Sequence, residues 1–195
     1  VQGVTSGALA RTLLDEGETV GISFRPVMAH ALLGAVATMT SLTDREVPLS
    51  SVLGPSARSW EQAVAAASSP EERVALTEAW LIPALGEPSP RLTSLRDLVE
   101  RIAVDASLVR VDDLVRTSNL DLRALQRSFR THVGLSPKAV LQRYRLHEAA
   151  AQLRAPEPPP LAGLATSLGY ADQAHFCRDF KRAVGQTPGD FSKSA

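Results

Sequence analysis

A thirteen-residue segment that recurs 51 positions later constrains this chain more than any other feature. Leu125 to Pro137 aligns without a gap with Phe176 to Pro188, and Arg127/Arg178, Phe129/Phe180, Val133/Val184, Gly134/Gly185 and Pro137/Pro188 are identical pairs. Upstream, Leu114/Leu164 and Asn119/Gly169 match at a separation of 50, which places one extra residue in the second copy's turn. Self-similarity at a fixed period marks one supersecondary unit used twice.

Each copy reads as a short helix, a tight turn and a second helix. Val111, Leu114 and Val115 have the three and four spacing of an amphipathic helix, and Ser118-Asn119 breaks it. Asn tolerates a left-handed backbone, so Asn119 is expected to make the turn with positive φ. Asp121 then caps the next helix by accepting a backbone N–H, with Leu122, Leu125 and Phe129 as its buried face and an end near Gly134. In the second copy Leu161, Leu164 and Leu168 lead to Gly169, Asp172 is the cap, and Phe176 and Phe180 form the apolar stripe.

Ser136-Pro137 has the cap-then-proline order of a helix start. Val140, Leu141, Tyr144, Leu146, Ala150 and Leu153 carry a connector helix onward until Pro156, Pro158, Pro159 and Pro160 stop it. In the first half, Ser69-Pro70-Glu71-Glu72 is a capping box opening a helix expected to run to Ile82. A helix through Trp60 precedes it, and Leu95, Leu98, Val99 and Ile102 mark another. Thr19 to Arg25 alternates like a strand, and Ala29 to Thr40 reads as a helical run interrupted by Gly34. One or two strands cannot bury both faces unaided, so β-structure is expected to continue ahead of Val1. The expected fold is therefore mainly α. Residues 108–195 form an all-helical domain of two helix-turn-helix units joined by a connector helix. Residues 1–107 form a smaller α+β module with few strands, for sensing, dimerisation or both.

Charge separates the same two regions. Residues 1–107 hold 8 Arg or Lys against 13 Asp or Glu, and residues 108–195 hold 13 against 8, giving −5 and +5. A basic module for a polyanion joined to an acidic module fits this asymmetry, and a dipolar protein without nucleic acid fits the charge alone equally well. No run approaches the ~20 apolar residues of a membrane span, and Val1 to Ala10 lack a basic n-region with a following apolar core. The reading is thus a cytoplasmic protein without a membrane role. The single cysteine, Cys177, rules out an intrachain disulfide and a Cys-rich zinc site. His30, His132, His147 and His175 fall at no metal-ligand spacing, so no metal and no cofactor is expected.

Gln126-Arg127-Ser128-Phe129-Arg130, Gly134 to Pro137, Arg145-Leu146-His147-Glu148-Ala149, and above all Leu168 to Lys181 followed by Gly185-Gln186-Thr187-Pro188, resemble the AraC family. The resemblance covers roughly residues 108 to 192. Its members are bacterial transcription factors that insert two recognition helices into successive major grooves. Gly21 to Pro26, Ala31 to Gly34 and Leu42 to Pro48 also look like the back part of the N-terminal domain of actinobacterial AraC-like regulators, which follows cupin-like strands. The resemblance implies double-stranded DNA and RNA polymerase as partners and transcriptional activation. It leaves open a small-molecule effector of unassigned identity and a homodimer.

Aligned with that family, Arg123, Gln126 and Arg127 occupy the base-reading positions of the first recognition helix. Arg takes guanine O6/N7 in bidentate fashion and Gln takes adenine N6/N7. The matching positions of the second helix are Ala174, Cys177 and Arg178, with Gln173 and His175 alongside. This donor-poor set should read its half-site less stringently, with Arg178 dominant. Phosphate contacts are expected from Arg130, Ser136, Lys138, Lys181 and Arg182.

Each assignment has a plainer rival. Arg127 and Arg178 would be structural if they bridged Asp113 or Asp179. Cys177 is a small residue that fits, or a redox switch beside Arg178. Trp60 and Trp80 are packing residues, or line a dimer interface. No catalytic role is expected, because an alkyl-transfer repair enzyme needs an activated cysteine outside the reading helix. The alternative function is a protein-interaction module or anti-activator that retains the fold without specific DNA binding, which the donor-poor second helix and an exposed Asp179 would favour.

Overall fold

The computed structural model describes residues 1–7 and 20–194. Twelve helices lie among them: α1 Ala29–Leu33, α2 Met39–Leu42, α3 Leu49–Leu53, α4 Pro55–Ala66, α5 Pro70–Ala84, α6 Pro90–Val104, α7 Val111–Thr117, α8 Leu122–His132, α9 Pro137–Leu153, α10 Leu161–Ser167, α11 Gln173–Val184 and α12 Pro188–Lys193. Extended pairing among these residues is reduced to one isolated antiparallel bridge, Gln2 to Glu46. The fold is mainly α, as the periodicities predict. The strand expected at Thr19 to Arg25 is a correction: Thr19 lies outside the described residues, and Val20 to Arg25 are irregular. Alternation makes a strand only where a neighbour supplies ladder partners, and none does so among the described residues.

Counting described residues, the chain divides into two compact units, one of residues 1–4, 20–97 and 127–135, the other of residues 5–7, 98–126 and 136–194. In the first, Leu33, Met39 and Leu42 form a small core against which Val1, Ala29, Val47 and Leu53 pack. α4 and α5 pair as a helical hairpin in which Trp60 stacks on Trp80, ring centroids 4.9 Å apart. The tryptophans thus pack on each other. Ser69 caps α5 by accepting from the Glu72 N–H at 3.1 Å, and the Glu72 carboxylate reaches back to the Ser68 N–H at 2.7 Å.

The second unit has the larger core. α9 contributes Leu146, Ala149 and Leu153, α10 Leu164 and Ala165, the following turn Leu168, α11 Phe176 and Phe180, and α12 Phe191. The aromatic rings meet edge to face, Phe176 to Phe180 at 5.7 Å and Phe180 to Phe191 at 5.4 Å. Arg154 closes the cluster with its guanidinium 4.8 Å above Phe191. Burying a side chain of this size stabilises the unit by about 1.5–3 kcal/mol, which fixes α11 on the connector.

Candidate nucleic-acid interface

The caps that orient the two second helices are where the sequence places them. Asp121 Oδ1 accepts from the Ala124 N–H at 2.7 Å, and Asp172 Oδ1 accepts from the His175 N–H at 2.7 Å. Such a cap contributes about 1 kcal/mol and starts each helix at a defined residue. The turns ahead of them differ. In the second copy Gly169 adopts φ +74°, whereas Asn119 has no positive φ, and α7 instead exits through extended Ser118 at φ −93°, ψ 148°. The left-handed Asn119 expected from sequence is therefore a correction. An extended exit reverses the chain in one residue fewer, which accounts for the repeat spacing changing from 50 to 51. Both helices end alike, with Gly134 at φ +90° and Gly185 at φ +91°.

On α8 the buried residues are Leu125, Ser128 and Phe129, while Leu122, Arg123, Gln126, Arg127 and Arg130 are exposed. At roughly 100° per residue the exposed set fills one arc and the buried set the opposite arc. Leu122, expected in the core, is 44% exposed. It stands at the first position of the helix. Arg123, Gln126 and Arg127 are without an ion-pair or hydrogen-bond partner among the described residues. Three donor-rich side chains thus stand side by side and uncommitted.

On α11 the exposed residues are Gln173, Ala174, His175, Arg178, Lys181 and Arg182, and Cys177 is half-buried against the core of its unit. Asp179 is 4% exposed, which corrects its assignment to the surface. Its carboxylate accepts from Arg182 Nη2 at 2.7 Å and from the Gln142 amide of the connector, with His175 Nε2 at 3.3 Å. Burial follows because its position matches Ser128, which is 2% exposed and accepts from Arg91 Nη2 at 3.1 Å. Periodicity marks this position as inward, but a charged residue there gave no such signal. His175 is therefore turned back along its own helix and toward Tyr170, whose ring lies 5.3 Å away. Arg178 has no such partner among the described residues.

The carboxylates named as rivals for the two repeated arginines are occupied by others, Asp113 by Arg116 and Asp179 by Arg182. Ser136 caps α9 by accepting from the Ala139 N–H at 3.2 Å, and Lys138 beside it is exposed. Among the described residues there is no group of three or more His, Cys, Asp or Glu side chains that could hold a metal ion, and no helix is long and apolar enough to cross a membrane.

Residues 114–194 match a family described as a helix-turn-helix domain. Over 83 residues, 43% of this chain, it is 34% identical to the HTH-type transcriptional regulator MtrA of Neisseria gonorrhoeae and 37% identical to a Streptomyces lividans protein described as an AraC-like transcription regulator, each match spanning 27% of the relative. Over 81 residues it is 35% identical to the RCS-specific HTH-type transcriptional activator RclR of Escherichia coli, 42% of this chain and 28% of that protein. The chain thus spans about a quarter of the length of these relatives. Residues 114–194 are thus similar to helix-turn-helix domains, among them that of an AraC-like transcription regulator.

Proposed function

We propose that this chain is a sequence-specific double-stranded DNA-binding transcription regulator that inserts α8 and α11 into successive major grooves of an asymmetric site. One observation supports the reading above others: Arg123, Gln126 and Arg127 form an exposed arc on α8 without ion-pair or hydrogen-bond partners among the described residues. Donors held ready on the outer face of a capped helix suit base edges in the major groove. α8 is the principal reader. On α11, Arg178 leads, Gln173 and Ala174 make lesser contacts, His175 is held by Asp179, and Cys177 contributes shape more than a donor.

Arg130, Lys138, Lys181 and Arg182 position the phosphates, with Ser136 at the start of α9. Residues 108–195 are the DNA-binding domain and residues 1–107 the module for sensing, dimerisation or both. Such a regulator acts in the cytoplasm, and the activator among its relatives favours activation through RNA polymerase.

Selection from random duplex DNA followed by a salt titration tests this. A bipartite motif should be enriched, and affinity should fall steeply with salt as phosphate counterions are released. A chain that enriches no motif and binds with little salt dependence is instead an interaction module that keeps the fold.

A further inference from the structure

The repeat reaches further upstream than its identical residues. At the same separation of 51, Arg91 aligns with Gln142, Leu95 with Leu146, Leu98 with Ala149 and Ile102 with Leu153. Both members of each of the last three pairs are buried, so α6 stands to α8 as the connector α9 stands to α11. The first pair carries a second equivalence. Arg91 Nη2 donates to Ser128 Oγ at 3.1 Å, and the Gln142 amide donates to the Asp179 carboxylate. Ser128 and Asp179 are themselves 51 apart, each on the inward side of its helix, at 2% and 4% exposure. α8 and α11 are thus each tied, at the same position, by a polar side chain from the helix that opens their copy.

Apolar packing by Leu125 and Phe129, or by Phe176 and Phe180, holds each helix against its core. That attraction is non-directional, whereas a hydrogen bond weakens steeply off its axis and so sets the roll of a helix more finely. A roll of ~20° moves a side-chain end at the roughly 5–6 Å outer radius by about 2 Å. This exceeds the ~0.5 Å spread of normal hydrogen-bond lengths and would undo a bidentate contact to a base edge. The aim of Arg123, Gln126 and Arg127 therefore depends on the roll of α8, and that of Arg178 on the roll of α11.

We propose that Arg91 and Gln142 are positioning residues, which through Ser128 and Asp179 set the roll of α8 and α11 and so decide which side chains each presents to base edges. The inference rests on the DNA-binding reading above. Arg91 lies outside residues 114–194, so the principal reader is tuned from a segment that the helix-turn-helix match does not cover.

The test compares the full 195-residue chain with Arg91→Met and Gln142→Met, which keep an apolar stem and lose the donor. Two readouts are used: selection from random duplex DNA, and amide hydrogen exchange of the free chain. Arg91→Met should lower preference about tenfold at positions in the stronger half of the motif and leave the weaker half intact, and Gln142→Met should do the reverse. Without DNA, exchange should quicken in residues 122–134 for the first variant and in residues 173–185 for the second, with unchanged circular dichroism spectra. In a Ser128→Ala background Arg91→Met should change the motif no further, because the partner it acts through is gone. If the parent enriches a bipartite motif and both variants keep it while binding all sequences more weakly, the role is structural and the proposal fails alone. If the parent enriches no motif, the DNA-binding reading fails, and exchange that is unchanged or spread evenly over both helices overturns the positioning role as well.

Discussion

The two glycines that end the paired helices offer a matched experiment. Gly134 and Gly185 have nearly the same left-handed backbone, φ +90° and +91°, so alanine at either site carries the same conformational cost, about 1–2 kcal/mol. Their surroundings differ. A Cβ on Gly185 would meet nothing within 4 Å, whereas one on Gly134 would lie 2.9 Å from the Met39 carbonyl, from Thr43 Oγ1 and from Val4 Cγ1. Two further bonds hold that contact closed: Thr43 Oγ1 donates to the Gly134 carbonyl at 2.8 Å, and Thr40 Oγ1 donates to the Arg130 carbonyl at 2.5 Å. The backbone oxygen cannot move without breaking these, so overpacking adds about 1–3 kcal/mol at Gly134 alone. Gly185→Ala should therefore lose about 1–2 kcal/mol and Gly134→Ala about 2–5 kcal/mol. Urea denaturation followed by far-ultraviolet circular dichroism, with Trp60 and Trp80 fluorescence as a second probe, measures both. Losses within 0.5 kcal/mol of each other, a margin roughly that of additive independent sites, would refute the packing of residues 39–43 on the end of α8.

Three further expectations concern single residues. Asp179→Ala removes the acceptor of Gln142 and Arg182 and should destabilise the chain by about 1–3 kcal/mol in the same denaturation assay, chiefly through the stranded Gln142 amide because Arg182 reaches solvent. Burial, then the neighbouring His30 and Arg91, lowers the His132 pKa to about 4, so the folded chain holds this ring neutral while the unfolded chain protonates it near 6.5. Stability is thus complete above pH 6.5 and lost as pH falls toward 4; the full gap is worth roughly 3 kcal/mol, reduced to about 1–2 kcal/mol for a ring still in contact with water. A His132→Gln variant whose unfolding midpoint falls with acid as steeply as the parent's would rule this out. On DNA, Arg123→Ala should relax one base position at about 1–3 kcal/mol, whereas Lys181→Ala should weaken all sequences alike and lower the salt slope by about one. Uniform losses in both variants would contradict that division of roles.

What was legible in the sequence is what is decided locally. Ser69, Asp121, Ser136 and Asp172 all cap the helices they were expected to cap, because a cap needs only its own side chain and an N–H two or three residues on. Phe129, Phe176 and Phe180 are wholly buried because large apolar residues at a period of 3.6 have one place to go. The errors lie where a distant element decides. Leu122 remains 44% exposed at the first turn of α8, and Asp179 carries a charge at an inward position because Gln142, 37 residues earlier, supplies a donor. Periodicity alone gives neither neighbour. Asn119 failed for a subtler reason: a turn can be closed by an extended residue as well as by a left-handed one, and the missing residue in the first turn was the signal. Val20 to Arg25 alternates without a partner strand among the described residues, and alternation by itself forms no sheet.

The central claim is that α8, through Arg123, Gln126 and Arg127, reads DNA bases and α11 reads them less stringently. It is tested most directly by selecting bound fragments from random duplex DNA with the parent chain and with Arg127→Ala in parallel. The parent should enrich a bipartite motif whose halves lie about one helical turn, roughly 10 bp, apart, with most of the discrimination in one half. Arg127→Ala should erase preference at one position of that stronger half and leave the weaker half intact. An unchanged motif, or losses spread evenly over both halves, would contradict the account.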